Sequence, residues 1–429
     1  MNPTGILGGA EMCLLDLLAS FQAAGLPWSP HVILSDDGPL RPAINHLGVD
    51  CRLLPFPPAL AGLGDAGLGG GRGGRRLAAG LALLTRGPAA GLAVISYLRQ
   101  LRRTLAELRP DLVQTNGMKA HLLGTLAAPR GVPVVWHMHD FCGSRALMAR
   151  LLRGVLRLRR GPVHVVGVSQ AVAANAAQIL GAATSVEAVY NAVDLDRFTP
   201  RRGDEVCLDL DAIAGLPSVP DGTVRIGLVA TYARWKGHDV FLDAVARVDR
   251  TLPARFYIVG GPLYRTGGSQ FTGEELRARV AALGLEGRVG FVPHQPAPEA
   301  AFQALDVVVH ASTRPEPFGR VIVEAMACGK AVIAANAGGA SELFEDGVSA
   351  LGCPPGDPEA LASAMTRLIT DVGLRRSLGE AGRRHAEADF DRAGLARTWS
   401  RVYDRALVPG SRPSGNLTGE TVAEAQAHA

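Results

Sequence analysis

Residues 307–329 of this 429-residue chain read VVVHASTRPEPFGRVIVEAMACG. The apolar run Val307–His310 is typical of a buried strand, and a helical pattern follows it. Pro317 and Gly319 favour a turn between the two, with the helix beginning near Phe318. The stretch therefore predicts a strand–turn–helix unit, the building block of a parallel sheet covered by helices.

Two carboxylates flank the start of this helix. Glu324 follows Glu316 by eight residues, which is about 10 Å along a helix that rises about 1.5 Å per residue. A nucleotide sugar has two diol-bearing rings separated by a diphosphate, at a similar distance. Each carboxylate could accept hydrogen bonds from one ring, while helix amides face the phosphates. A capped core helix with two surface acids is the alternative, and the spacing alone does not separate the two interpretations.

Strand-like runs alternate with helical patterns on both sides of this stretch, which predicts parallel sheets with helices on both faces. The predicted strands are His31–Leu34, Leu112–Thr115, Val132–Trp136, Val163–Val168, Val224–Ala230, Phe256–Val259, Val289–Val292, Val307–His310 and Ala331–Ala335. A region rich in Asp, Pro and Gly, Phe198–Gly222, separates two groups of strands. The fold class is therefore α/β, with two doubly wound domains.

The expected division of the chain follows from these patterns. It comprises a first domain at 1–197, a linker region at 198–222, a second domain at 223–385, a helix at 386–407 that returns to the first domain, and a disordered tail at 408–429. Leu361–Leu378 and Arg383–Val402 have the pattern of terminal helices. Residues 58–76 are Gly-rich and of low complexity, and we expect a mobile loop there.

The start of the chain departs from a doubly wound pattern. A Gly-rich turn normally follows a central first strand, but only seven residues precede Gly8-Gly9. Asn2-Pro3-Thr4-Gly5 is not a strand sequence, so the first strand is missing. We expect the natural chain to carry roughly ten further residues before Asn2, given that strands run about 5–6 residues. The alternative is that another segment fills the gap.

Composition excludes several classes of protein. A formal net charge of +4 is too small to indicate nucleic-acid binding, and it suits an anionic substrate or membrane surface equally well. The six cysteines contain no C-x-x-C pair, so neither a zinc site nor a disulfide framework is expected. No signal-peptide pattern opens the sequence, and we expect a reduced, cytoplasmic protein. Arg86 and Gly87-Pro88 interrupt the apolar residues 77–98, which predicts two short amphipathic pieces rather than a membrane span.

Three further motifs end or follow predicted strands. Arg234-Trp235-Lys236-Gly237 places two cations at a strand's carboxyl end, where they can neutralise a diphosphate; solvated loop charges are the alternative. Gly8-Gly9 lets a backbone approach a phosphate closely, although a lone Gly-Gly is weak evidence. His137-Met138-His139-Asp140 follows the strand Val132–Trp136, and we expect a polar group facing the cleft between the domains, with His137 alternatively a core residue satisfied by backbone. No further His/Asp cluster follows it, so we predict no metal.

Other patterns are set aside or left open. Asp194-Leu-Asp196 and Asp209-Leu-Asp211 are Asp-x-Asp pairs, a pattern that holds a metal ion in some enzymes, but they lie in or beside the linker region. The Gly69-x-Gly71-x-x-Gly74 match to a dinucleotide fingerprint has no strand before it. Arg145–Arg160 is basic and amphipathic, and it fits either a peripheral helix on an anionic membrane or a solvated helix face.

Together these motifs resemble the family 4 glycosyltransferases, which have the GT-B fold of two Rossmann-like domains facing across a cleft. The resemblance runs from Gly8 to about Tyr403 and is densest from Val224 to Leu361. The family's Glu-x7-Glu motif is matched by Glu316 and Glu324. The remaining matches are Arg234, Lys236-Gly237, Asn191–Phe198, Val166–Ser169, Gly260–Pro262 and Gly338-Gly339.

The resemblance implies a role for each matched position. Glu316 would hold the hydroxyls of the donor sugar and Glu324 the ribose. The implied contacts to the diphosphate and sugar are Arg234, Lys236, Gly9, and the amides near Phe318 and Gly319. His139 corresponds to the family's cleft histidine, and Glu316, His139, Arg234 and Lys236 are the implied catalytic residues.

The implied function is transfer of a hexose, with retention of configuration and without metal or other cofactor. The donor would be a nucleotide-diphosphate sugar, and the acceptor a glycan or lipid-linked molecule in cell-envelope polysaccharide or glycoconjugate synthesis. Localisation would be cytoplasmic, with possible peripheral contact at the inner face of the membrane. The alternatives are a GT-B nucleotide-sugar epimerase and a non-catalytic nucleotide-sugar-binding protein. A retaining glycoside hydrolase needs carboxyl groups about 5–5.5 Å apart, closer than the spacing of Glu316 and Glu324 predicts.

Overall fold

The structure is a computed structural model that describes residues 1–57, 74–159, 161–181, 184–201, 207–262 and 269–408, without the side chains of 74–90 and Ser144. Most of the expected Gly-rich loop, with its dinucleotide-like pattern, and the expected tail from residue 409 lie outside the described residues. The strands are β1 His31–Leu34, β2 Asp50–Leu53, β3 Val113–Asn116, β4 Val134–Met138, β5 Val163–Gly167, β6 Ser185–Ala188, β7 Val224–Val229, β8 Ala254–Val259, β9 Val289–Val292, β10 Val307–His310, β11 Ala331–Ala335 and β12 Leu351–Cys353.

Helices lie between and after these strands. They are α1 Gly9–Ala23, α2 Leu40–His46, α3 Gly74–Leu108, α4 Met118–Ala127, α5 Ala146–Leu158, α6 Gln170–Leu180, α7 Leu210–Ala214, α8 His238–Arg247, α9 Gly273–Ala282, α10 Pro298–Ala304, α11 Arg320–Ala327, α12 Pro358–Thr370, α13 Val372–Asp389 and α14 Arg392–Leu407. Short 3-10 turns occur at Cys142–Ser144, Arg234–Lys236 and Gly339–Glu342.

The second domain contains one six-stranded parallel sheet in the order β12-β11-β10-β7-β8-β9. Its first strand, β7, is central, and the order reverses beside it, as in a doubly wound sheet. The central strands are apolar because helices cover both faces, and Val307–His310 is buried throughout. The carboxyl ends of β7 and β10 therefore meet at the switch point, where ligands bind in this fold class.

The first domain contains a four-stranded parallel sheet, β3-β4-β5-β6, and a two-stranded one, β1-β2. Met1 and Asn2 lie between them. The Asn2 amide donates to the Ile33 carbonyl at 2.9 Å, and the Met1 carbonyl accepts from the Asn116 amide at 2.9 Å. These two residues therefore bridge β1 of the one sheet and β3 of the other through backbone hydrogen bonds.

The last helix packs against the first. Leu17 and Phe21 of α1 share one apolar cluster with Trp399 and Tyr403 of α14, and the Phe21 and Tyr403 ring centroids are 5.7 Å apart. Helix α14 therefore forms part of the first domain's core, although it follows the second domain in the chain.

The strands expected from the sequence are present, with ends shifted by no more than two residues, and the sequence missed β2, β6 and β12. Two helix predictions were wrong. Helix α3 is continuous from Gly74 to Leu108 through Gly87-Pro88, because a proline removes one backbone hydrogen bond without having to end a helix. The terminal region forms three helices instead of two, since Asp371 and Asp391 cap new helix starts through the amides of Leu374 and Gly394 at 2.8 Å. Within the described ranges, no helix has both the length and the apolar character that crossing a bilayer requires.

Candidate active site

Glu316 lies in the loop between β10 and α11. Its carbonyl accepts a hydrogen bond from the Gly339 amide at 2.7 Å, so the loop is fixed to the segment that follows β11. Helix α11 begins at Arg320, two residues later than expected, because Gly319 has φ 103° and turns the chain into the helix. Glu316 is therefore held by a rigid loop beside the N-terminus of α11.

The Glu316 carboxylate is bound by three side chains of the second domain. Lys236 Nζ donates to its two oxygens at 2.8 and 2.9 Å, the Ser312 hydroxyl donates at 2.7 Å, and His310 Nε2 lies 3.2 Å away. Burial would raise the pKa of Glu316, but the Lys236 charge and the His310 contact together hold it well below its usual range. Glu316 is therefore an ionised carboxylate in a largely buried site, able to accept hydrogen bonds.

Lys236 reaches this carboxylate from the 3-10 turn between β7 and α8. Gly237 follows it with φ 75°, and a Cβ there would lie 1.9 Å from the Ala311 carbonyl oxygen. Only glycine permits this approach between the turn and the end of β10. The Lys-Gly sequence is thus a packing requirement that brings the ammonium group to Glu316.

Arg234 begins the same turn but is directed elsewhere. Its guanidinium pairs with Glu275 at 2.6 Å and lies 4.3 Å from the centre of the Phe271 ring. The structure thus brings together Lys236 and Glu316 of the expected set, and places Arg234 beside α9.

Glu324 lies on α11, away from the Glu316 cluster. Its Oε1 atom accepts from Arg320, one turn earlier, at 3.0 Å. Burial raises the pKa of Glu324, and the Arg320 charge opposes that effect. Phe318, between the two glutamates, packs against Tyr190 and Phe390 at centroid distances of 6.4 and 6.2 Å.

The first domain contributes Gly9 and His139. A Cβ on Gly9 would lie 3.9 Å from Arg320 Cδ, so this glycine faces the start of α11. Burial, with the nearby Arg320 charge, lowers the pKa of His139 to about 3, and its Nε2 atom is buried without a hydrogen-bond partner among the described residues. His139 is therefore a neutral imidazole.

The neighbouring His137 was considered as a core histidine whose ring bonds the backbone. Its ring nitrogens have no hydrogen-bond partner in the described part of the chain, so that alternative is wrong.

A second contact joins the domains beside this site. Glu342, in the 3-10 turn after Gly338-Gly339, accepts hydrogen bonds from the amides of Gln170 and Ala171 at 2.7 Å and from the Tyr190 hydroxyl at 2.9 Å. The carboxylate of one domain thus caps helix α6 of the other.

The candidate metal pairs have structural roles. Asp194 pairs with Arg392 at 2.7 Å and caps the turn at Asp196 and Arg197, while Asp211 pairs with Arg255 at 3.0 Å. Across the described residues, no group of three His, Cys, Asp or Glu side chains is placed to hold a metal ion.

Four site residues were not predicted from the sequence: His310, Ser312, Asp16 and Arg320. His310 and Ser312 stand six and four residues before the expected Glu316, and the end of β10 was a sufficient signal for them. Arg320 lies within the stretch 307–329, but its partner Asp16 is 304 residues away. No local sequence pattern marks that pair.

Two doubly wound domains lie against each other near the start of α11, and the second domain holds the Glu316–Lys236 pair at its switch point. This is the arrangement expected of a GT-B glycosyltransferase. Residues 7–197 match the model of Glycosyltransferase Family 4, and residues 217–385 match that of Glycosyl transferases group 1. The chain belongs to glycosyltransferase family 4, which confirms the family and the fold expected from its sequence.

Similar proteins include both curated sequences and solved structures. The D-inositol 3-phosphate glycosyltransferase of Jonesia denitrificans is 32% identical over 370 residues, which cover 77% of this chain and 82% of that protein. Its counterpart in Salinispora arenicola is 32% identical and covers 72% of this chain and 71% of that protein. HepE of Anabaena, solved in complex with UDP and glucose, superposes with a TM-score of 0.73 at 26% identity and covers 94% of this chain and 99% of that one.

Proposed function

We propose that this glycosyltransferase moves a hexose from a uridine-diphosphate sugar to a hydroxyl of a glycan or lipid-linked acceptor, with retention of configuration and without a metal ion. The observation that carries the proposal is the Glu316 cluster: an ionised, mostly buried carboxylate bonded to Lys236 at the edge of the interdomain cleft. The structures of HepE with UDP and with UDP-glucose support the choice of uridine.

Each part of the cluster has a chemical task in this proposal. Glu316 accepts hydrogen bonds from the donor sugar's hydroxyls, and Lys236 stabilises the negative charge that develops on the departing diphosphate. A fixed ammonium beside helix amides can neutralise that charge, so the proposal needs no metal. Among the described hydrogen bonds, none uses the amides of Phe318 or Gly319, and we assign these amides to the sugar and phosphate. Arg234 acts on the diphosphate from the same turn after leaving Glu275.

Three residues complete the proposed donor and acceptor sites. Glu324 accepts from the ribose hydroxyls, and Gly9 lets the first domain's backbone approach the diphosphate. The neutral ring of His139 forms one hydrogen bond to a hydroxyl of donor or acceptor. The acceptor enters from the first domain's side of the cleft.

The acceptor class has two candidates. A cell-envelope glycan or lipid-linked sugar is the first, because α5 presents a surface suited to a membrane. Leu147, Leu151 and Leu158 are 55%, 44% and 79% exposed on one face, beside the exposed Arg150, Arg153 and Arg157. Inserted leucines flanked by cations suit an anionic lipid surface. D-inositol 3-phosphate is the second candidate acceptor, because relatives 32% identical to this chain are named D-inositol 3-phosphate glycosyltransferases.

The transfer assay separates these possibilities. The protein is incubated in EDTA with UDP-glucose or another nucleotide sugar, plus a polyprenyl-linked sugar, an oligosaccharide or D-inositol 3-phosphate. Mass spectrometry detects the product, and NMR couplings give its anomeric configuration. We expect a retained linkage in wild type and none in Glu316→Gln. Free epimerised nucleotide sugar without acceptor would indicate an epimerase, and nucleotide binding without turnover would indicate a non-catalytic protein.

Membrane attachment has its own test. We expect wild type to float with anionic vesicles at low salt and to be released at high salt, because each cation near the surface adds about 1 kcal/mol. Leu147→Ser/Leu151→Ser should lose flotation, while the exposed Val348→Ser in the second domain should keep it. Equal flotation of both variants would contradict attachment through α5.

A further inference from the structure

A buried carboxylate of the first domain is shared by two arginines that follow it far along the chain. Asp16, on α1, has a side chain only 2% exposed. Its Oδ2 atom accepts from Arg320 Nη1 at 2.7 Å, and its Oδ1 atom from Arg392 Nη2 at 2.6 Å. Arg320 begins α11 of the second domain and Arg392 begins α14. Asp16 therefore joins three separate parts of the fold.

Each arginine also binds a second carboxylate. Arg320 donates to Glu324 at 3.0 Å, and Arg392 donates to Asp194 at 2.7 Å. Carboxylates and guanidinium groups thus alternate through Glu324, Arg320, Asp16, Arg392 and Asp194. This ion chain runs from α11 across the domain boundary to Asp194, in the loop that follows β6.

The geometry fixes the Glu324 carboxylate from outside its own domain. A guanidinium is a rigid, planar fork, so holding one edge against Asp16 also sets the direction of the edge facing Glu324. If the domains separate at this boundary, Arg320 loses Asp16 and its fork can rotate. Arg320 then remains one helical turn from Glu324, but its guanidinium no longer holds the carboxylate in one orientation.

We propose that Arg320 and Asp16 are positioning residues for the donor nucleotide, holding Glu324 ready for the ribose only while the two domains are in contact. The inference rests on the proposed function, in which Glu324 accepts the ribose hydroxyls. Nucleotide affinity is then coupled to domain contact through one arginine.

The test uses the full chain with UDP as the probe for binding, by calorimetry, and UDP-sugar for kinetics. Arg320→Gln should weaken UDP binding and raise the donor KM by about tenfold, while kcat at saturating donor changes less than about threefold, since a fixed ribose site contributes binding rather than chemistry. Asp16→Asn should act in the same direction. The double variant should bind UDP no worse than Arg320→Gln alone, because both changes break one coupled unit.

Arg392→Gln is the matched control. It removes the other partner of Asp16 but does not touch Glu324, so UDP affinity should stay within about twofold of wild type. Asp16→Asn leaves both arginines paired, Arg320 with Glu324 and Arg392 with Asp194. Arg320→Gln and Arg392→Gln each take the arginine from one terminal carboxylate of the ion chain, so thermal melting of all three variants checks that folding survives. If Arg320→Gln unfolds, Arg320→Lys keeps the charge without the fork and should still weaken UDP binding.

The outcomes separate the two proposals. Wild-type protein that binds none of UDP, GDP and ADP would overturn the proposed function. Wild type that binds UDP no tighter than Arg320→Gln would overturn the positioning role alone. A normal UDP affinity in Asp16→Asn beside a weakened Arg320→Gln would also overturn it, since Arg320 would then act on the nucleotide without the first domain.

Discussion

The two glutamates of one motif are held by different parts of the molecule. Glu316 is fixed within the second domain, where Lys236 bonds both of its oxygens. Glu324 is bound by Arg320, and Arg320 is bound in turn by Asp16 of the first domain. One carboxylate thus keeps its geometry wherever the domains lie, whereas the other depends on their contact.

The pKa values of the pair shift in opposite directions. Burial raises the pKa of Glu324 despite Arg320, while Lys236 and the contact with His310 outweigh burial and lower that of Glu316. The difference fits the proposal that the two acids of one motif have separate tasks, one at the reacting sugar and one at the nucleotide.

The largest effect is expected from Glu316→Gln. Turnover should fall by about 10²–10³-fold or more, because the charge that orients the sugar is lost while the side chain keeps its size. UDP binding should change little, since UDP lacks the sugar. Initial rates at saturating donor measure the turnover, and calorimetry measures the UDP affinity. Wild-type turnover would remove Glu316 from the site.

Glu324→Gln should show the reverse pattern. We expect the donor KM and the UDP dissociation constant to rise by about tenfold, with kcat reduced less, because an amide is a weaker acceptor for ribose hydroxyls than a carboxylate. The same two assays apply. A loss in kcat as large as that of Glu316→Gln would show that the two acids share one task.

Ser312→Ala tests how far the activity depends on the hydrogen bonds that hold the Glu316 carboxylate. The variant removes a 2.7 Å hydrogen bond to the carboxylate, and hydrogen bonds to charged groups contribute about 1.5–3 kcal/mol. We expect kcat to fall by roughly tenfold, with UDP affinity retained. Ser341→Ala is the control, since Ser341 donates to the Gly338 carbonyl. An equal loss in both variants would point to general damage to the loop.

The smallest expected effect is a pH dependence that separates the glutamates. The raised pKa of Glu324 means that it takes up a proton first as pH falls, whereas the lowered pKa of Glu316 keeps that group ionised. The other charged groups acting on Glu324 are Arg320, Asp16 and Arg197. Donor KM should therefore rise before kcat declines as pH is lowered, and Glu324→Gln should lack this rise. A kcat that falls first in wild type would contradict the assignment.

The sequence predicted those parts of the site that depend on local pattern. The strand before Glu316 fixes the loop, and Gly237 marks the close approach that brings Lys236 to it, so both residues were found from their neighbours along the chain. The ends of helices were predicted less well, because packing decides whether a proline ends a helix or only bends it. Helix α3, which continues through Gly87-Pro88, is the example.

The contacts between the two domains could not be predicted from the sequence. Asp16 lies 304 residues from Arg320 and 376 from Arg392, and a lone Asp on an apolar helix has the same local pattern whether or not an arginine faces it. Glu342 also has its partners far away in the sequence, because the amides that it caps belong to α6, more than 170 residues earlier. Such pairs follow from how the domains meet, which no local periodicity encodes.

The packing of α14 on α1 bears on how the protein is made. The ribosome delivers Leu17 and Phe21 early, but their partners Trp399 and Tyr403 emerge only after the whole second domain. All six strands of that second domain lie together in the sequence, between residues 224 and 353, so it can fold as soon as it is released. The part of α1 that packs against α14 stays uncovered during that time and is open to aggregation or to chaperones. The domain that is synthesised first is therefore the last to be completed.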